Sequence, residues 1–365
     1  MKQKIKIIVS GGGTGGHIFP AISIANALQN CSDCEILFVG AEGKMEMEKV
    51  PAAGYKIVGL PIRGLQRSFS KENLKFFPLL IKSLKQAKAI VKDFQPDAVV
   101  GVGGYASGPL LYAAAKLGVP TLIQEQNSYA GITNKILGKK ARKICVAYEN
   151  MHRFFPADKI ILTGNPVRKD LMGIARKKQE AMDHFQLNPE KKTILIVGGS
   201  LGARTINNSV LNTLSLLADS DVQVIWQTGK FYIDKIREEV KNWTIPNVKV
   251  FDFLARMDLA YAAADLVISR AGAGTISELC LVEKPCILVP SPNVSEDHQT
   301  KNAMALVNKN AAIMVKDIDA EQNLLATALN LIKDDEHLAQ LSASCKALAK
   351  PNAADDIAKQ IIALI

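Results

Sequence analysis

His17 stands at the end of a glycine run: Gly11, Gly12, Gly13, Thr14, Gly15 and Gly16 precede it. An imidazole titrates near neutral pH and can serve as a general base. Residues 4–9 before the run are a β-branched strand pattern, and residues 20–28 after it carry apolar side chains at helical spacing. Glycines between a strand and a helix let backbone N–H groups converge, and the helix N-terminus adds partial positive charge, worth roughly 0.3–1 kcal/mol per anion. The chemistry of this stretch is therefore phosphate handling, with an imidazole placed either to act as a base or to hydrogen-bond a diphosphate. Gly11, Gly13 and Gly16 also satisfy G-x-G-x-x-G, and Glu42 follows at about the interval of a ribose-binding acid in a dinucleotide site. No Lys-Ser/Thr pair follows the glycines, which excludes a Walker A loop. A lone histidine is more often a packing residue, yet glycine neighbours give this one little to pack against.

Further stretches carry chemistry of the same kind. GGSLGAR (198–204) repeats the glycine-turn pattern in the second half, and SRAGAGTISE (269–278) offers a third such turn. Glu278 falls one turn inside the helix that follows; there it could accept two hydrogen bonds from a ribose diol or complement the helix dipole. SEDHQTKNA (295–303) sets Asp297, His298, Gln299, Thr300 and Asn302 at a helix start, more polar groups than one cap requires. In the first half, GVGGYASGP (101–109) and QEQNSYAGITNK (124–135) are the other polar or glycine-rich loops, and Glu125 is a second candidate base. No carboxylate cluster reads as a metal site.

The elements that must position these loops follow from the apolar runs. Strands are predicted at 4–9, 35–39, 56–60, 97–101, 120–123, 143–146 and 159–162, then at 193–197, 222–226, 248–251, 265–268, 285–289 and 312–315. Helical periodicity between them argues for α/β architecture with parallel sheets covered on both faces, whose ligands sit at the carboxyl ends of strands. A helix is predicted over 205–217, and an amphipathic helix over 351–365 through Ile357, Ile361, Ile362 and Leu364. The Gly-Asn-Pro turn in TGNPVR (163–168) marks a domain boundary, giving two similar domains facing a cleft; 365 residues exceed what one hydrophobic core usually holds.

The net charge of +10 is uneven: residues 60–150 hold fourteen Lys/Arg against five Asp/Glu. Pro78 fits the first turn of a helix whose core stripe is predicted as Phe77, Leu80, Leu84, Ala87 and Val91, with Lys82, Lys85, Lys88 and Lys92 on another arc. Before it, Phe69, Leu74 and Phe76 alternate with Lys71 and Lys75, and Lys139, Lys140, Arg142 and Lys143 form a second basic cluster. Cations interleaved with apolar side chains suit an anionic membrane surface, where each Lys or Arg contributes about 1 kcal/mol. A solvated basic helix face is the plainer alternative. Nucleic acid is not expected, because no binding motif accompanies the charge. No apolar run approaches the roughly 18 residues that span a bilayer, so a chain neither secreted nor membrane-spanning is expected. The six cysteines, including Cys31 and Cys34, lack zinc spacing and read as reduced thiols.

Taken in order, GGGTGGHIFPA, GVGGYASGP, EQNSYAGITNK, TGNPVR, GGSLGAR, RAGAGTISE and EDHQTKNA resemble the MurG family, from the N-terminus to beyond residue 300. These are bacterial UDP-N-acetylglucosamine:N-acetylmuramyl-(pentapeptide) pyrophosphoryl-undecaprenol N-acetylglucosaminyltransferases. The resemblance implies the GT-B glycosyltransferase fold. Residues 1–166 would form an acceptor- and membrane-facing domain, 167–350 a UDP-GlcNAc-binding domain, and helix 351–365 would cross back to the first. It implies inverting transfer of GlcNAc to the C4 hydroxyl of the muramyl sugar of lipid I, giving lipid II for the cell wall. His17 would be catalytic. Thr14, Gly15, Gly16, Asn127, Arg168, Ser200, Leu254, Ala273, Gly274, Thr275, Ile276, Ser277, Glu278 and Gln299 would bind the donor, with Tyr105 and Glu125 on the acceptor side. The membrane patch would comprise Phe69, Lys71, Leu74, Lys75, Phe76, Lys82, Lys139 and Lys140; Trp226 and Trp243 both lie in the other half, so phenylalanines must serve there. No cofactor or metal is expected to be obligatory. The expected partners are UDP-GlcNAc, lipid I, an anionic membrane surface and other cell-wall synthesis proteins, which places the chain peripherally at the cytoplasmic face of the inner membrane. A UDP-GlcNAc 2-epimerase is the near alternative, sharing architecture and donor, and an NAD-dependent oxidoreductase the distant one.

Overall fold

The computed structural model describes residues 4–64, 76–243 and 245–365, and divides into two compact units, residues 1–167 with 352–365 and residues 168–351. Phe69, Lys71, Leu74 and Lys75 of the expected membrane patch lie outside the described residues.

The first unit alternates strands and helices: β1 (Ile5–Ser10), α1 (Gly15–Cys31), β2 (Cys34–Ala41), α2 (Glu46–Ala52), β3 (Lys56–Leu60), α3 (Phe76–Phe94), β4 (Ala98–Gly101), α4 (Ser107–Lys116), β5 (Thr121–Glu125), α5 (Ile132–Gly138), β6 (Lys143–Val146) and β7 (Ile160–Leu162). All strand pairs are parallel, in the order β3-β2-β1-β4-β5-β6-β7. Alternation along β1 feeds two cores. Ile7 and Val9 pack toward α1, whereas Ile8 packs toward the side covered by α3, α4 and α5. The order reverses between β1 and β4, so the loops leaving those strands meet where an open α/β sheet binds its ligands.

The second unit contains α6 (Lys178–Phe185), β8 (Thr193–Val197), α7 (Arg204–Leu211), α8 (Leu214–Ala218), β9 (Gln223–Gln227), α9 (Ile233–Asn242), β10 (Val248–Phe251), α10 (Met257–Ala263), β11 (Leu266–Ser269), α11 (Ala273–Leu281), β12 (Cys286–Leu288), α12 (His298–Val307), β13 (Ile313–Met314), α13 (Ala320–Leu331) and α14 (Asp335–Leu348). Its parallel sheet runs β10-β9-β8-β11-β12-β13, with the reversal between β8 and β11. The chain then returns to the first unit as α15 (Ala353–Ile362), which lays Ile357 and Ile361, both fully buried, into the core beside α1.

Two helical expectations need correction. The predicted 205–217 helix is two helices, α7 and α8, broken at Asn212 and Thr213. Thr213 Oγ1 donates to the Ser209 carbonyl there, the local competition that makes threonine a poor helix interior. In α3 the buried positions are Ser83, Ala87 and Val91 with Leu80 and Leu84 partly covered, while Phe77 is 67% exposed and outside the stripe. The helix turns its first-turn phenylalanine outward because the core under it begins only at Leu80. All six cysteines are free thiols, five of them buried.

Candidate functional site

In the first unit the loops after β1 and β4 are bonded together. Val102 N–H donates to the Ser10 carbonyl (2.7 Å) and Gly12 N–H to the Gly103 carbonyl (3.3 Å). Ser107 Oγ ties the same corner by donating to the Gly103 carbonyl (2.8 Å). His17 lies in the first turn of α1 with Nδ1 3.1 Å from the Gly12 carbonyl oxygen. A carbonyl only accepts, so Nδ1 carries the proton and Nε2 the lone pair of the neutral ring. Gly103 (φ +101°) must be glycine twice over: its backbone is left-handed, and a Cβ there would sit 2.8 Å from Nε2. Thr14 and Gly16 are exposed at the helix mouth and Gly15 is half-buried. Tyr105, on the loop after β4, is 48% exposed.

The dinucleotide reading fails on this geometry. Gly13 N–H, which would address a pyrophosphate, already donates to Glu46 Oε2 (2.9 Å), and Glu42 is exposed beyond the end of β2. Glu46 is only 1% exposed and its other oxygen accepts from Ala41 N–H (3.0 Å). The sequence pattern gives Glu46 no prominence, since a glutamate in a helical first turn is ordinary.

Glu125 also departs from the sequence reading. Its Oε1 accepts from Asn127 N–H (3.1 Å) and Asn127 Nδ2 (3.3 Å), and its Oε2 from Gly131 N–H (3.1 Å) and Asn134 Nδ2 (2.9 Å). A carboxylate engaged by four donors organises a loop and is poorly placed to accept a substrate proton. It sets the half-buried Asn127, whose backbone and amide it both grips.

The second unit assembles most of the expected donor residues around β8 and β11. Glu278, on α11, has its side chain 23% exposed; Oε2 accepts from Tyr261 O–H (3.1 Å), and Oε1 lies 3.9 Å from Arg168 Nε. Burial raises the Glu278 carboxyl above the ordinary range, while the Arg168 charge and the Tyr261 hydroxyl oppose the rise. The Tyr261 phenol is pushed up by burial and then by Glu278. Arg168 Nε and Nη2 are buried without a hydrogen-bond partner among the described residues. Two buried guanidinium donors left unspent beside a carboxylate are costly in the free protein and fit an anionic ligand.

Gly272, Ala273, Gly274 and Thr275, at the N-terminus of α11, are all partly open. Ile276 is buried, so its side chain packs inward, and Ser277 Oγ donates to the Ala273 carbonyl (3.0 Å). Ser200 is exposed at the tip of the turn after β8. Gln227, which the sequence reading passed over, joins two of these segments. Its Nε2 donates to the Gly199 carbonyl (3.0 Å), and its Oε1 accepts from Leu254 N–H (2.8 Å), fixing the buried Leu254. Gln299 Oε1 accepts from Ser291 N–H (2.8 Å) at the start of α12. Glu296 and Asp297 just before it hold left-handed backbones (φ 56° and 52°), conformations that cost energy and concentrate at functional turns. Among the described residues no three His, Cys, Asp or Glu side chains are grouped to hold a metal ion.

The chain matches the Glycosyltransferase family 28 N-terminal domain over residues 7–146 and the Glycosyltransferase family 28 C-terminal domain over residues 193–361. The UDP-N-acetylglucosamine--N-acetylmuramyl-(pentapeptide) pyrophosphoryl-undecaprenol N-acetylglucosamine transferase of Parabacteroides distasonis is 61% identical over 364 residues, covering 100% of this chain and 99% of that one. The chain belongs to the MurG family. A crystal structure of Acinetobacter baumannii MurG superimposes with a TM-score of 0.78 at 28% identity, covering 98% of this chain and 99% of that one. A UDP-GlcNAc 2-epimerase from Neisseria meningitidis reaches a TM-score of 0.69 at 16% identity over 99% and 100% of the two chains, a likeness of fold alone. As a MurG-family member this chain is a glycosyltransferase with the GT-B architecture, and it transfers N-acetylglucosamine.

Proposed function

We propose that the chain transfers GlcNAc from UDP-GlcNAc to the C4 hydroxyl of the muramyl sugar in undecaprenyl-pyrophosphoryl-MurNAc-pentapeptide, lipid I, with inversion at the anomeric carbon. The observation that carries the donor assignment is the pair of unspent guanidinium nitrogens of Arg168 beside Glu278. Glu278 would accept from the two ribose hydroxyls, and Arg168 would donate to the diphosphate. The N-terminus of α11 and the turn after β8 would add backbone N–H groups and dipole charge to the same anion. Leu254 would wall the uracil, and Asn127 and Gln299 would address the sugar hydroxyls.

The transfer is a single displacement. The bond from the acceptor oxygen to the anomeric carbon forms as the bond from that carbon to the β-phosphate oxygen breaks, and UDP leaves with the electron pair. His17 Nε2 takes the hydroxyl proton as general base. Arg168 and the helix N-termini stabilise the charge that grows on UDP. These groups can carry that role with no obligatory metal, and the reaction is expected to proceed in EDTA.

A membrane-surface contact fits the face of the first unit covered by α3, α4 and α5. Phe77, Ile81, Ile132 and Ile136 are exposed there, Lys82, Lys139 and Lys140 are exposed with them, and Lys140 Nζ lies 4.5 Å from the Tyr112 ring centroid. Among the described residues no helix is long and apolar enough to cross a membrane. A lipid acceptor would explain a basic and apolar face that an epimerase does not need. The same reading puts the chain peripherally at the inner membrane, in contact with other cell-wall synthesis proteins.

The test is transfer of labelled GlcNAc to a short-chain lipid I analogue by wild type and His17→Ala, with EDTA present. Robust wild-type transfer that falls by about 10²-fold or more in the variant, with donor affinity intact, is the expected result. No transfer by a folded, UDP-GlcNAc-binding wild type would sink the reading.

A further inference from the structure

The buried carboxylate of Glu46 and the ring of His17 grip opposite ends of one peptide group. Gly13 N–H donates to Glu46 Oε2 at 2.9 Å, and the carbonyl of the same Gly12–Gly13 peptide accepts from His17 Nδ1 at 3.1 Å. The fit is close. A Cβ on Gly12 would fall 2.1 Å from Glu46 Oε1, and one on Gly104 would fall 2.4 Å from the Gly12 carbonyl oxygen, so both flanking positions are kept free of side chains. Glu46 is anchored at its other oxygen by Ala41 N–H at the end of β2, which fixes the carboxylate to the sheet and leaves the glycine loop to follow it.

We infer that Glu46 is a positioning residue for His17, acting through the Gly12–Gly13 peptide as a carboxylate–amide–imidazole relay. A carboxylate that accepts from a peptide N–H polarises the amide and makes its carbonyl a stronger acceptor. That carbonyl holds the Nδ1–H tautomer, orients the ring and favours the imidazolium, while Nε2 stays the basic nitrogen. It is the task of the carboxylate in a Ser-His-Asp triad, performed here with an amide between the charge and the ring. The inference rests on the reading of His17 as the base. Among the described residues the titratable groups on the neighbouring segments include Glu46 on α2 with the exposed Glu48–Lys49 pair beyond it, Glu42 and Lys44 on the loop before it, Tyr105 on the loop after β4, and Glu125, which four donors already engage. Glu46 is the one bonded to the peptide that His17 holds.

The experiment is an NMR titration of protein labelled with ¹⁵N-histidine, His17 being assigned by its loss in His17→Ala, for wild type and Glu46→Gln. Wild type is expected to show neutral His17 protonated on Nδ1. In Glu46→Gln the apparent pKa should fall by roughly one unit, as removal of a nearby negative charge requires. The Nε2–H tautomer should appear, and kcat/KM should drop about 10-fold with the acid limb of its pH profile moving in parallel. Donor KM should be unchanged. An unaltered His17 titration and tautomer in folded Glu46→Gln would reduce Glu46 to a structural residue and overturn the relay. If Glu46→Gln does not fold, Glu46→Asp keeps the charge but shortens the reach, and a smaller downward shift is required of it. Full turnover by His17→Ala would remove the base reading, while the titration would still decide the relay.

Discussion

Arg168 Nε lies 3.9 Å from Glu278 Oε1, an ion pair too long to be a hydrogen bond. Asp170 Oδ1 stands 3.5 Å from the same nitrogen without bonding it. The guanidinium is thus held by charge but not saturated. A guanidinium in that state can turn its donors to an anion without first breaking a hydrogen bond, whereas the carboxylate keeps one bond, from Tyr261, that fixes its orientation.

Donor binding should therefore depend on the charge of Glu278. Burial holds its carboxyl above the ordinary range, so folding retains its proton to higher pH than the unfolded chain does. The stability this group contributes is present at low pH and is lost as pH rises through the folded pKa. Binding has the opposite sign, because accepting two hydroxyl protons requires the ionised form. UDP-GlcNAc affinity measured by calorimetry should weaken as pH falls toward the ordinary carboxylate range. Glu278→Gln should bind about 30-fold more weakly at pH 8, roughly 2 kcal/mol for the lost charged hydrogen bonds, and the gap to wild type should close on acidification. A pH-independent gap would remove Glu278 from the diol.

The two sheets and their glycine turns were legible because strand runs such as residues 56–60, 143–146, 193–197 and 248–251 are short and apolar, three of them flanked by Pro61, Gly198 or Asn247 and Asp252, and the structure reproduces all four bounds. Glu278 and Arg168 were legible through their motifs. Glu46 and Gln227 were not, because each acts on backbone groups remote in sequence that the pairing of neighbouring strands brings together, and the loop-organising bonds of Glu125 were not, because they depend on a local loop conformation that no periodicity encodes. The error at Phe77 has a similar origin: periodicity names the apolar arc of a helix, but where the core begins beneath it depends on neighbours remote in sequence.

The start of the second unit is held by a charge cluster around the buried Asp258, whose loss should show as a pH-dependent destabilisation. Asp258 is buried and accepts from Arg256 Nε (2.9 Å), Arg256 Nη2 (2.9 Å) and Lys177 Nζ (2.7 Å). The Arg256 hydrogen bonds, helped by Lys177, hold its carboxyl well below the ordinary carboxylate range. A depressed pKa gives stability that is present above the unfolded value and lost as pH falls toward the folded one. Asp258→Asn should cost about 2 kcal/mol near pH 7 in urea denaturation. The cost should shrink from about pH 4 downward, as wild type loses its own advantage. A cost that stays constant to low pH would mean that packing, and not charge, dominates at this position.

The exposed face of α3, α4 and α5 should bind anionic vesicles through residues that the sequence reading did not assign to it. Ile81 (56% exposed) and Ile136 (64% exposed) stand on α3 and α5, which both pack against α4, so one surface can bury both. Partial burial of two isoleucines is worth roughly 2 kcal/mol, which makes Ile81→Ser with Ile136→Ser expected to weaken co-sedimentation with phosphatidylglycerol vesicles about 30-fold. Turnover of a soluble lipid I analogue should be spared, because neither side chain has a contact with His17, Asn127 or the glycine turns in the bonding described above. Adding Lys140→Glu should weaken the vesicle contact further by about 1 kcal/mol for the lost attraction, with the effect fading at high salt. Undiminished vesicle binding by the triple variant would place the membrane contact elsewhere; equal loss of vesicle binding and of analogue turnover would mean that this face serves the reaction itself.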